Sequence, residues 1–138
     1  MDLLHQTDYI KVMHDKSTGI FEYHWTARNK ELDETGYQRE LLNTMIFVHQ
    51  IKPELVIANT QQSTFVVHLE MQKWLIEHVI AAAAQAGMKK LALIVSQDFI
   101  TQISIEQSIE DTAEKPFTTQ YFGSVEKGRN WLMSFVKD

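Results

Sequence analysis

The sequence predicts an α/β domain built on a mixed sheet, and three observations carry that expectation. Residues 69–96 read as an amphipathic helix, a glycine stop, two lysines and a buried strand, which is one αβ unit of a layered domain. Helix-like and strand-like segments then alternate through the second half of the chain, the pattern of parallel strands joined by right-handed crossovers. Near the start, two strand-like segments flank Lys16-Ser17-Thr18-Gly19, which is turn chemistry and predicts a hairpin. Together they predict a single domain over residues 1–138, with about five strands and four helices in the order ββαβαβαβα.

The hairpin strands are expected over 9–15 and 20–27. Phe21, Tyr23 and Trp25 alternate with Glu22, His24 and Thr26, so one face of the second strand is aromatic and buried and the other wet. Residues 28–35 form a charged connection in which Asp33 or Thr35 caps a helix. Tyr37, Leu41, Leu42, Met45, Ile46 and Val48/His49 mark the stripe of that helix. Pro53 ends the connection behind it, since the residue before a proline is pushed out of helix. A short apolar strand follows over 55–58, and then a polar loop, 59–67, with an apolar end.

In the long helix, Leu69, Met71, Trp74, Leu75, Val79, Ala82, Ala83 and Ala86 fall near steps of three and four. Trp74 is its expected anchor against the sheet. Gly87 stands where a left-handed terminating residue is wanted, and Lys89 and Lys90 complement the helix dipole. The unalternating run Leu91-Ala92-Leu93-Ile94-Val95 predicts a strand covered on both faces. Ser96-Gln97-Asp98 suits a helical turn, and Ser104-Ile105-Glu106-Gln107 fits a capping box for a helix running to about Asp111. Pro116 opens a strand over 117–122. Gly123-Ser124 then turns the chain into a final helix carrying Val125, Trp131, Leu132, Phe135 and Val136.

Composition narrows the function classes. With no cysteine, the chain has no disulfide scaffold, no thiol catalysis and no cysteine-ligated zinc, which suits a cytoplasmic protein. The start of the chain has no basic segment followed by an apolar block, so a secretory signal is not expected. No apolar run approaches the roughly 20 residues of a membrane helix. A net charge of −5 argues against general nucleic-acid binding, which rests on phosphate neutralisation.

Catalytic and metal signatures are absent. There is no HExxH, no GxGxxG, no GxxxxGK[ST] and no nucleophile elbow. His68 and His78 are ten apart, roughly 280° around a helix, so they do not share a face. His14 and His24 approach each other across the expected hairpin, but two histidines alone make a poor metal site. Glu106, Glu110, Asp111 and Glu114 form an acidic face that reads as solvated, and Trp25, Trp74 and Trp131 read as core or rim residues. No catalytic residue, metal ligand or cofactor is assigned.

A resemblance rests on Gln72-Lys73-Trp74, on 82–87, on Lys89-Lys90-Leu91-Ala92-Leu93-Ile94-Val95-Ser96, on 102–107, on Tyr121-Phe122 and on Trp131-Leu132. Over about two thirds of its length the chain resembles the STAS domain, the fold of bacterial anti-sigma-factor antagonists, in its SpoIIAA-like branch of small stand-alone proteins. That resemblance implies a STAS-like mixed sheet and a non-enzymatic regulatory module that binds a protein partner. Regulators of the family carry an Asp-Ser pair, phosphorylated by a partner kinase, where the central strand meets the next helix. The matching junction here is Asn59-Thr60, with Ser63 and Thr64 beyond it, and the Asp-Ser pair is missing. The expectation is therefore constitutive binding through a loop comprising Asn59, Thr60, Ser63, Thr64 and Phe65, with no phosphorylation. Phe65, Val66 and Val67 either contact the partner or pack beneath the loop. A second copy of the chain is carried as an alternative partner. The alternative function is a binding module for a small apolar ligand or lipid, by analogy of fold with CRAL-TRIO domains. An apolar cavity of roughly 300 Å³ or more would favour that alternative, and a closed core the partner module.

Overall fold

A computed structural model of the chain describes residues 1–110 and 116–136. It is an α/β fold on a six-stranded mixed sheet, one strand more than expected. The extra strand is β1 (Asp2–Gln6), which pairs antiparallel with β2 (Ile10–Asp15). The predicted hairpin joins β2 to β3 (Ile20–Trp25), with Gly19 at φ +79° in the turn. From there β4 (Leu55–Asn59), β5 (Lys90–Ile94) and β6 (Thr118–Phe122) add in parallel, each beside the last.

Four helices alternate with the parallel strands: α1 (Glu34–Ile51), α2 (69–85), α3 (Phe99–Glu110) and α4 (Val125–Met133). Right-handed crossovers that always step in the same direction leave their helices on one face of a sheet. Accordingly α1, α2 and α3 bury Val12, Phe21, Trp25, Val56, Leu91 and Leu93 beneath them. Among the described residues, the opposite face is covered by α4 alone, whose Leu132 seats on Ile20, Ile57, Ala92 and Ile94. As expected, β4 and β5 are central and parallel, with Val56, Ile57, Leu93 and Ile94 all at most 4% exposed.

The caps explain the helix ends. Asp33 accepts the Gly36 amide at 2.7 Å and opens α1; Lys52, at φ +55°, closes it before Pro53. In α1 the buried positions are Tyr37, Glu40, Leu41, Thr44, Met45 and Val48, while Leu42 and Ile46 face out. A short 3-10 turn, Ala27–Glu31, occupies the charged connection. α3 begins at Phe99, five residues before the expected capping box, because the Asp98 carboxylate accepts the Thr101 amide at 2.9 Å. Ser104 is thus inside the helix, and Asp111 and Glu114 lie outside the described residues.

Two departures concern α2. Ile76–Ile80 is wound as a π turn between two α segments, with the Ala81 amide donating to the Ile76 carbonyl. Its first apolar position, Leu69, is 62% exposed rather than buried. Trp74 is half-buried: it packs against the core cluster that holds Met71 and Leu93, and stacks on His78 at 4.9 Å. The predicted stop holds: Gly87 takes φ +107°.

Candidate functional site

The loop that follows β4 is built by hydrogen bonds from three other segments. Thr60 continues the β4–β5 ladder: its amide donates to the Ile94 carbonyl at 3.1 Å and its hydroxyl to the same oxygen at 2.5 Å. Asn29, wholly buried in the 3-10 turn, donates to Ser63 Oγ at 2.6 Å and accepts the Thr64 amide at 3.2 Å. Ser96, after β5, donates to the Ser63 carbonyl at 2.7 Å, and Ser104 of α3 accepts the Val67 amide at 3.0 Å. Short polar residues hold this loop because each can reach a neighbouring backbone group without filling space.

The five loop residues singled out in the sequence therefore differ in accessibility. The hydroxyls of Thr60 and Ser63 are buried and engaged, and only Thr64 stands in solvent. Phe65 packs inward, stacked on Tyr37 at a centroid distance of 4.0 Å, and Tyr37 stacks in turn on Trp25 at 4.7 Å. Asn59 turns to the other face of the sheet. Its Oδ1 accepts the Gln61 amide at 3.0 Å, which fixes its Nδ2 as the donor to His24 Nδ1 at 2.8 Å. His24 then carries its proton on Nε2, 3.5 Å from Glu22 Oε1.

That contact belongs to a polar cluster the alternation pattern misplaces. Glu22, expected on a wet face, is 0% exposed, because α4 covers it and Arg129 pairs with its Oε1. Burial opposes ionisation, but the nearby His24 ring, the hydrogen bond from Arg129 and the guanidinium charge outweigh it, and the carboxyl sits below its ordinary range. The register pairs Lys11 with His24 and His14 with Phe21, which places His14 and His24 on opposite faces. They do not converge as a pair.

Beside the loop lies an apolar groove that the sequence reading did not single out. Val66 and Leu69 form one wall, at the entry to α2, and Ile100 and Ile103 of α3 form the other. Leu69 and Ile100 are each 62% exposed, and Ile103 is 37% exposed. Its floor is polar but satisfied: Gln72 donates to the Val67 carbonyl at 3.1 Å and to Gln107 Oε1 at 3.3 Å. The groove occupies about 510 Å³ beside the carboxyl ends of β4 and β5. The available signal was the spacing Ile100, Ile103, Gln107, a second stripe on α3 opposite the one that carries Ile105.

Between the sheet and the three helices is a separate cavity of about 100 Å³, lined mainly by apolar side chains. It falls below the roughly 300 Å³ at which a drug- or lipid-sized ligand is favoured. Among the described residues, no three of His, Asp or Glu converge as metal ligands, and no helix is long and apolar enough to cross a membrane. Compared with protein-family models, with curated proteins and with solved structures, the chain matches none of them.

Proposed function

We propose that this chain is a non-enzymatic, partner-binding regulatory module of STAS-like type, and that it docks its partner in the groove between the start of α2 and α3. The observation that carries the reading is the exposure of Leu69, Ile100 and Ile103 in one concave strip. Isolated exposed apolar residues are ordinary on a protein surface, whereas a contiguous apolar groove rimmed by polar groups marks an interaction site. Two helices frame the strip, so an apolar face of a partner helix fits it. The net charge of −5 favours a partner segment with basic flanks. The resemblance to STAS regulators points to the same edge of the fold. Because Thr60 and Ser63 are held inside, regulation by phosphate falls on Thr64 or is absent, and binding is constitutive.

A photoreactive amino acid placed at Ile100, in the native cell, tests this. The expected result is one discrete protein adduct at Ile100 and none at Leu42, which is 45% exposed on α1 and serves as the control. Adducts at Leu42 and none at Ile100 would move the docking surface elsewhere. An adduct with the mass of two chains would make the occupant a second copy.

A further inference from the structure

His24 stands between two partners on the α4 face of the sheet, and each ring nitrogen meets one of them. Nδ1 accepts from Asn59 Nδ2 at 2.8 Å, while Nε2 lies 3.5 Å from Glu22 Oε1. That second approach is too long for a hydrogen bond. Among the described residues, His24 Nε2 and Glu22 Oε2 are both buried atoms without a hydrogen-bond partner. The Glu22 carboxylate, 0% exposed, is paired with Arg129 and keeps acceptor capacity on the side of the ring. The His24 side chain is 21% exposed, so solvent protons reach it.

A neutral imidazole suits this arrangement, because one nitrogen accepts and the other carries the proton. An imidazolium donates from both nitrogens and would set Nδ1–H against the Asn59 amide donor. Turning the Asn59 side chain over removes that conflict, since Oδ1 then accepts from the ring. Oδ1 is also the acceptor of the Gln61 amide, at 3.0 Å, and turning it away releases that amide. The Gln61 carbonyl in turn accepts the Gln97 amide at 3.2 Å, just before α3. We propose that His24 is a proton-operated latch on the loop after β4: unprotonated it holds the Asn59–Gln61 turn closed, and protonated it opens that turn. Glu22, on the same strand, favours the protonated ring by charge. Arg129 of α4 and Lys11 of β2, the register partner of His24, oppose it, and β4 contributes the uncharged Asn59. Histidine changes charge between about pH 5 and 8, the range in which such a latch would work. The latch does not depend on what docks in the groove.

Heteronuclear NMR of the full chain tests the latch, with the His24 ring nitrogens and the Gln61 amide followed from about pH 8 to 5. The Gln61 amide proton should move upfield, as a released amide does, with the same midpoint as the ring. His24→Gln, whose side chain does not titrate, should abolish that step. If His24→Gln fails to fold, Asn59→Ala takes its place and should leave the Gln61 amide released at every pH. A Gln61 amide that stays fixed while the ring titrates, a ring that remains neutral throughout, or a step that survives in either variant would overturn the proposal.

Discussion

Asn29 and Glu22 show how single buried polar side chains shape this molecule. Asn29 satisfies Ser63 and the Thr64 amide at once, so the loop after β4 is held by one amide from 34 residues upstream. Replacing it by alanine strands the buried Ser63 hydroxyl and releases the half-buried Thr64 amide. Asn29→Ala is expected to cost about 1–3 kcal/mol in a denaturant titration. A loss under about 0.5 kcal/mol would mean that the loop holds itself. Glu22 was legible as an outward-facing position of β3, and its parity is correct. What covers it was not legible, because Arg129 lies 107 residues further along the chain and alternation says nothing of what a face meets. Its lowered folded-state pKa makes the ionised carboxylate the stabilising form. That contribution is present above the ordinary carboxylate pKa and is lost as pH falls through the lower folded value. Stability measured from neutral pH into this acid range should therefore decline less steeply for Glu22→Gln than for the wild type. Arg129→Ala, which leaves the carboxylate buried beside His24 alone, should cost on the order of 3 kcal/mol at pH 7. An unchanged midpoint would show that His24 and solvent suffice.

At the scale of elements, the π turn and the approach of α4 to the sheet are the features to explain. Met71 and Ala83 both face inward although they are twelve residues apart, about 120° out of phase on a straight α-helix. A π turn winds less per residue and brings the second half of α2 back over the sheet. His78 compensates: its Nδ1 donates to the Trp74 carbonyl at 3.1 Å while its ring stacks on the indole. An apolar stripe read at helical spacing does not show such a change of winding; Leu69 faces out for a separate reason, since it stands about 200° around the helix from the buried Met71. β1 escaped the sequence reading for a different reason: it is an edge strand with mixed exposure, and Asp2–Gln6 shows no alternation. α4 packs closely because Gly128 has no side chain; a Cβ there would come within 2.9 Å of Ile94 Cδ1 and 3.3 Å of Ala92 Cβ. Gly128→Leu should lift α4 and expose Leu132, destabilising the fold by about 1–3 kcal/mol or more. Thermal unfolding of that variant at the wild-type midpoint would mean that α4 contributes little.

For the whole molecule, the order of the parallel strands sets what is covered and what is left open. Among the described residues, three helices share one face, and their junctions leave the inner cavity and the outer groove; the other face has one short helix. The central strands, the hairpin and the glycine stop after α2 were legible because local pattern determines them. The groove was not, since it arises where Val66 and Leu69 meet Ile100 and Ile103 across about 30 residues of chain. The docking account is tested most directly by the pair Leu69→Asp and Ile100→Asp, measured for binding to the partner captured at Ile100 and for thermal stability. Both positions are 62% exposed, so each variant should unfold at the wild-type temperature. Each should also weaken partner binding by at least tenfold, a loss of about 1.4 kcal/mol or more. Full affinity retained by both folded variants would contradict the account.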